Sequence, residues 1–150
     1  MEKTMYLDSR MPPREKCVQR YMLDHWADIQ PEKVFAIFAD GTEWTYRETL
    51  LRTIETANAL RALGVRQGER VVVWVPNGAD CLRIWFGLNY IGAVFVPINL
   101  AYKGSLLQHA IRLADASLMI SHPDLVSRLD DIDTDPLKTV VVLEPEARPI

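Results

Sequence analysis

Five consecutive apolar residues, Val71-Val72-Val73-Trp74-Val75, place the tightest constraint on how this 150-residue chain folds. A strand with one face in water alternates apolar and polar side chains. A run that is apolar on both faces needs cover on both, as in a parallel sheet flanked by helices. Gly68-Glu69-Arg70 before the run and Pro76-Asn77-Gly78 after it limit it to the length of a strand. The same rhythm then repeats. A helix is expected from about Ala79 to Ile91, a strand over Val94-Phe95-Val96 ending at Pro97, and a helix marked by Leu106, Leu107, Ala110, Ile111 and Ala114. A strand over Leu118-Met119-Ile120, a small helix from Asp124 to Leu129 and a last strand from Val140 to Leu143 follow. This order predicts an α/β fold, a mostly parallel sheet with flanking helices and right-handed crossovers.

The residues before Gly68 read as an N-terminal helix and a short hairpin. Residues 1–14 form a loose lead-in, and Pro12-Pro13 suits a helix start. Between Glu15 and Ile29, Val18, Met22, Trp26 and Ile29 recur at helical spacing beside Tyr21, and Pro31 ends the segment. Val34 to Phe38 and Glu43 to Thr45 read as two strands joined at Asp40-Gly41. Thr45-Tyr46-Arg47-Glu48 fits a capping box. The helix it opens carries Leu50, Ile54, Ala57 and Leu60 on one face, and Gly64 closes it in the left-handed conformation with Val65 packing back. Residues 144–150 read as a tail, and the whole chain as part of one domain.

The helix after Gly78 has apolar side chains on nearly every side: Leu82, Ile84, Trp85, Phe86, Leu88, Tyr90 and Ile91. Burying each large side chain contributes roughly 1.5–3 kcal/mol, and a helix coated all round belongs in an interior. Either the chain tucks this helix under its own loops, or the helix lies between layers of a larger protein.

Composition narrows the function classes. The net charge is −3 and the Lys and Arg residues are scattered, which argues against a nucleic-acid binder. No stretch has the length of a membrane span, and the charged N-terminus is not a secretory signal. Cys17 and Cys81 are far apart and lack metal-ligand spacing, so they read as reduced thiols of a cytoplasmic protein.

Several local patterns suggest sites and are outweighed. Pro76-Asn77-Gly78 sits between strand and helix, where an anion could meet backbone N–H groups, but one glycine is not a dinucleotide fingerprint and the segment reads as a turn. Asp131-Ile132-Asp133-Thr134-Asp135-Pro136 starts like a calcium loop. Pro136 stands where the turn needs Gly, and Val142 where a bidentate Glu belongs, so a solvated loop is expected. His25, His109 and His122 are dispersed, and Trp74, Trp85 and Phe86 read as core. Asn99-Leu100-Ala101-Tyr102 follows a strand's carboxyl end, where α/β ligands gather. No catalytic, cofactor-binding or metal-ligating residue is assigned.

The stretch from "EWTYRETL" through "VVVWVPNGADCLRIWFGLNYIGAVFVPIN" to "ADASLMI" resembles the opening of the AMP-forming acyl- and aryl-CoA ligases, members of the adenylate-forming enzymes. "WTYRETL" resembles their first core motif and "NYIGAVFVPIN" their second. With "MPPREKCVQRYMLDHWADIQPEKVFAIF", the wording is most similar to crotonobetaine/carnitine-CoA-ligase-like members. The resemblance covers roughly residues 11–145. It implies the first part of a large N-terminal domain in which the coated helix lies between layers. It also implies a two-step reaction: a carboxylate attacks ATP to give acyl-adenylate and pyrophosphate with Mg²⁺, and CoA thiol then displaces AMP. The residues that carry this chemistry in the family belong to later motifs. The Ser/Thr/Gly-rich phosphate loop ending in Pro-Lys-Gly, the adenine motif, the ribose-binding Asp and the catalytic Lys are missing from this sequence. ATP, Mg²⁺ and CoA are therefore implied for the full-length enzyme and none for this chain. The Asn99–Tyr102 region approaches CoA in relatives, but here it lacks their small Gly pair. The expected partners are the remainder of the ligase domain or a second copy. Three origins stay open: a truncated ligase, a split subunit, or a non-catalytic remnant.

Overall fold

The computed structural model describes Pro13 and residues 16–144; most of the expected lead-in, and the tail beyond Glu144, lie outside them. Helix α1 (Gln19–Ile29) leads into a hairpin of β1 (Val34–Ile37) and β2 (Glu43–Thr45), then α2 (Tyr46–Ala62). Alternation follows through β3 (Arg70–Trp74), α3 (Ala79–Tyr90), β4 (Val94–Pro97), α4 (Gly104–Ala114) and β5 (Leu118–Ser121). The short helix α5 (Pro123–Val126), a 3₁₀ turn at Ser127–Leu129 and β6 (Thr139–Val142) complete the order. The hairpin is its own antiparallel pair, while β4-β3-β5-β6 form a parallel sheet.

The apolar run does what its two-faced coat requires. Val71 and Val73 face a core with Leu60, Ile84, Leu88 and Ile120, whereas Val72 and Trp74 face Leu107, Ile111 and Met119 on the other side. All four strand residues are buried, so both faces of β3 have been removed from water.

Local signals set the ends of α2. Glu48 N–H donates to Thr45 Oγ1 (3.2 Å) and Thr45 N–H to Glu48 Oε2 (2.8 Å), closing the capping box. At the other end, Val65 N–H reaches Leu60 O and Gly64 N–H reaches Arg61 O, with Gly64 at φ +90°. Its inward face differs from expectation. Thr49, Thr53, Thr56, Ala57 and Leu60 are buried, while Leu50 and Ile54 are only half-buried. Threonine reads as polar in a sequence. Here the Thr49 and Thr53 hydroxyls donate back to Thr45 O and Thr49 O (2.7 Å each), so their methyl groups can face the core.

Helix α1 also departs from the reading. It starts at Gln19 rather than at Glu15, and it buries Leu23 and Ala27. Val18, Met22 and Ile29 are exposed. Polar clasps to α3 orient the helix: Asn89 Nδ2 donates to Gln19 Oε1 (2.6 Å) and Tyr90 OH to Asp24 Oδ1 (3.0 Å). Arg20 lies over the Tyr90 ring at 4.6 Å. Burial, and then the neighbouring Asp24, push the Tyr90 phenol above its usual range. On α4, Leu107, Ile111 and Ala114 are buried and Leu106 is exposed.

The coated helix α3 therefore finds its second layer within this chain, as α2, α1 and the hairpin. Trp85 is the exception. It is 43% exposed, stacked on Phe95 rather than buried as expected, while Trp74 and Phe86 are in the core.

Gly92 turns α3 into β4 at φ +76°, and an added Cβ would sit 2.9 Å from Gln67 Cγ. Gly41 in the hairpin loop is also left-handed but has open space around it. Gly92→Val is expected to lose about 3 kcal/mol, combining the forbidden backbone angle with the clash. Gly41→Asn, a residue that tolerates this conformation, is expected to lose less than about 1 kcal/mol. Parallel thermal melts check this, and equal midpoints would refute the placement of Gly92.

Candidate functional site: a cleft at the strand crossover point

The strand order sends the chain from β3 out to β4 and back across to β5. The loop after β3 climbs to α3 on one face, and the loop after β5 goes to α5 on the other. Neighbouring strands whose loops diverge leave a crevice at their carboxyl ends, the place where open α/β sheets bind ligands. A cleft of about 650 Å³ lies here. Pro76, Asn77, Gly78 and Asp80 wall it from the β3 side, His122 and Pro123 from the β5 side, and Leu143 and Glu144 from beyond β6. The hairpin closes it with Phe38, Asp40, Thr42 and Trp44, joined by Arg52 of α2.

Most polar groups of the cleft already have partners. Asp40 Oδ1 accepts from Thr42 N–H (2.9 Å), and the backbone and side chain of Thr42 hold the Asp40 carboxyl below the usual carboxylate range. Asp80 Oδ1 takes both Nε and a terminal nitrogen of Arg83 at 2.7 Å. His122 Nδ1 accepts from Asp124 N–H (3.2 Å) and so caps α5. Arg52 lies over the Trp44 ring at 4.6 Å, and Phe38 meets that ring edge-on. The arrangement can recognise a polar group or a chain segment. Gly78 opens α3 toward the cleft, and its charged lining is mixed: Arg52 shares the space with Asp40, Glu144 and the Arg83-paired Asp80.

The other sequence candidates separate in space. Pro76-Asn77-Gly78 is a turn and also a cleft wall. His25 is exposed and stacked on Tyr21, and His109 is exposed on α4. In the acidic loop, Asp133 pairs with Arg112 (2.5 Å) and accepts from Asp135 N–H (3.0 Å), and both hold its carboxyl below the usual range. Among the described residues no three His, Cys, Asp or Glu side chains are gathered as a metal site. The Asn99–Tyr102 loop is pinned from below. Trp74 Nε1 donates to Asn99 O (3.1 Å) and Arg128 to Leu100 O (2.6 Å). Sequence reasoning had no signal for the convergence of Asp40, Trp44, Arg52 and His122, which come from three separate segments.

Residues 23–149 match the family model described as AMP-binding enzyme. The feruloyl-CoA synthase of Amycolatopsis sp is 40% identical over 89 residues, 59% of this chain and 18% of the relative. The crotonobetaine/carnitine–CoA ligase of Salmonella paratyphi A is 31% identical over 106 residues, 68% of this chain and 20% of the relative. Among solved structures, a long-chain-fatty-acid-CoA ligase from Archaeoglobus fulgidus superposes with a TM-score of 0.78 at 26% identity, covering 85% of this chain and 27% of that one. The anthranilate CoA ligase AuaEII in complex with anthranoyl-AMP gives 0.75 at 26% identity, covering 83% and 24%. The chain thus spans about a fifth of the length of the curated relatives it matches.

Proposed function

Since this chain belongs to the AMP-binding enzyme family, we propose that it is the N-terminal segment of an ATP-dependent acyl-CoA ligase, inactive by itself. The observation that carries this reading is the match over residues 23–149 to a family whose phosphate loop and catalytic lysine have no counterpart in the sequence. The full-length reaction joins a carboxylate to AMP and passes the acyl group to CoA. Its charge stabilisation comes from pre-organised groups, and in this reading ATP, Mg²⁺ and CoA are bound by the remaining chain. No step is assigned to a residue here. The role of this segment is architectural: a sheet covered on both faces, with a cleft at its crossover point against which later chain packs. The whole chain forms part of one domain, its partner is the remainder of that domain, and the site of action is cytoplasmic. Among the described residues no helix is long and apolar enough to cross a membrane.

Two proteins test the proposal: the purified 150-residue chain, and a chimera in which residues 23–144 replace the structurally equivalent segment of the Archaeoglobus fulgidus long-chain-fatty-acid-CoA ligase, whose structure superposes on 85% of this chain. With ATP, Mg²⁺ and a panel of aryl and acyl carboxylates, the chain alone is expected to release pyrophosphate no faster than a protein-free control. The chimera is expected to release it at least tenfold faster. Release by the chain alone, or a folded but inert chimera, overturns the reading.

A further inference from the structure

We infer that the open flank of α3 around Trp85 is covered by this chain's own lead-in, with Met5, Tyr6 and Leu7 making the contact. The inference is independent of the ligase reading. Three sides of α3 are already occupied. Ile84 and Leu88 face the sheet, Gly87 lies against α2, and Phe86 meets Phe35 of the hairpin. The remaining flank carries Leu82, Trp85 and Asn89, which share one face at helical spacing. Phe95 stacks on the Trp85 ring at 5.7 Å and Phe86 meets it at 77°, yet Trp85 stays 43% exposed. Phe95 belongs to β4, which among the described strands pairs only with β3. An indole held in place by two aromatic rings, with its outer side in water, is a preformed apolar seat.

The choice of occupant follows from where the chain enters the fold. Residues 1–12 precede Pro13. Lys16 N–H turns back to Pro13 O (2.8 Å), and Gln19, which opens α1, accepts from Asn89 Nδ2 (2.6 Å). Asn89 is one turn from Trp85, about 6 Å along the helix, so the chain leaves α1 beside the open ring. Val18, next to that contact in the chain, is 52% exposed. The lead-in has one run of three apolar residues, Met5-Tyr6-Leu7. The stretch from Leu7 to Pro13 reaches up to roughly 20 Å when extended. The tail after Glu144 instead leaves from β6, on the opposite edge of the sheet from Phe95. A tethered segment also meets its seat at an effective concentration near millimolar, ahead of a second copy in dilute solution.

The test uses the whole 150-residue chain with 5-fluorotryptophan at its four tryptophans. Trp85→Phe identifies the Trp85 fluorine signal, and its shift between H₂O and D₂O reports exposure. Met5→Ser, Tyr6→Ser and Leu7→Ser are then combined in one variant. The expected results are a small solvent shift for Trp85 in the wild type and one at least twice as large in the serine variant, with the other three signals unmoved. The melting midpoint is expected to fall by several degrees, and that fall to vanish in a Trp85→Ala background, since the two changes remove the same contact. Glu2→Gln with Lys3→Gln is expected to change neither readout. A wild-type Trp85 already at full exposure, or serine substitutions that cost as much in the Trp85→Ala background, would sink the inference. A Trp85 signal that moves on dilution with a dimeric mass, in wild-type and serine chains alike, would assign the flank to a second copy and overturn it. The same substitutions are placed in a chimera carrying residues 1–144 at the head of the Archaeoglobus ligase. A shielded Trp85 there that ignores the serine substitutions would assign the flank to the rest of the ligase and overturn it as well.

Discussion

Gly87→Leu is expected to destabilise the chain by about 3 kcal/mol or more, the range of severe overpacking, and to leave much of it unfolded at 37 °C. Gly87 sits in the middle of α3, where glycine lowers helix propensity by roughly 1 kcal/mol relative to alanine. By propensity alone a larger residue should help. Packing reverses the sign. A Cβ at this position would lie 2.9 Å from Thr56 Cγ2 and 3.2 Å from the backbone nitrogen of Ala57. The threonine methyl has some freedom, but the Ala57 backbone has none without moving α2. Displacing α2 would uncover Ala57 and Leu60, which share a core with Ile84 and Leu88. Gly87→Ala is the graded test, with an expected loss of about 1–2 kcal/mol because one methyl requires only a small separation of the helices. Denaturant titrations of the three proteins should show midpoints falling in the order glycine, alanine, leucine. A midpoint for the alanine variant above wild type would mean that propensity outweighs the close approach.

Trp74→Ala is expected to lose about 3–5 kcal/mol, the range for emptying a large buried aromatic site. Trp74 is completely buried on the α4 face of β3, among Leu107, Ile111 and Met119. Its indole N–H donates to Asn99 O, which also accepts from Tyr102 N–H, and Arg128 stands 5.8 Å from the centre of its ring while reaching Leu100 O. One side chain therefore fills the core and anchors the loop after β4. Trp74→Phe separates the two roles. It retains most of the buried area but removes the indole donor and leaves Asn99 O only the turn bond from Tyr102 N–H (3.1 Å), so an expected loss of about 1 kcal/mol should accompany faster amide exchange across residues 99–102. Chemical denaturation followed by circular dichroism gives the first quantity and hydrogen exchange the second. Wild-type exchange in that loop for the phenylalanine variant would show that the hydrogen bond does not hold it.

These cases separate two kinds of information. The strand at Val71–Val75, the capping box at Thr45 and Glu48, the glycine closure of α2 and the turn at Pro76-Asn77-Gly78 are each specified within a few residues. Their physical causes, side-chain alternation, backbone N–H satisfaction and φ freedom, act over that same range. The family motifs belong to this group, and they carried the fold class and the ligase kinship. The inward face of α2 was not legible, because threonine counts as polar until its hydroxyl is seen returning to the helix's own carbonyls. The layer over α3 was not legible either, since it depends on Gly87 letting α2 approach. Trp85 looked like core because nothing in a linear pattern shows that its neighbour, Phe95, lies on an edge strand. The cleft was least legible of all. It exists because β5 lies beside β3 rather than β4, and this order brings His122 and Pro123 opposite Asn77 and Gly78. Strand order is decided by which apolar faces cover one another best across the whole chain, a comparison of long-range packings that no local stretch of sequence contains.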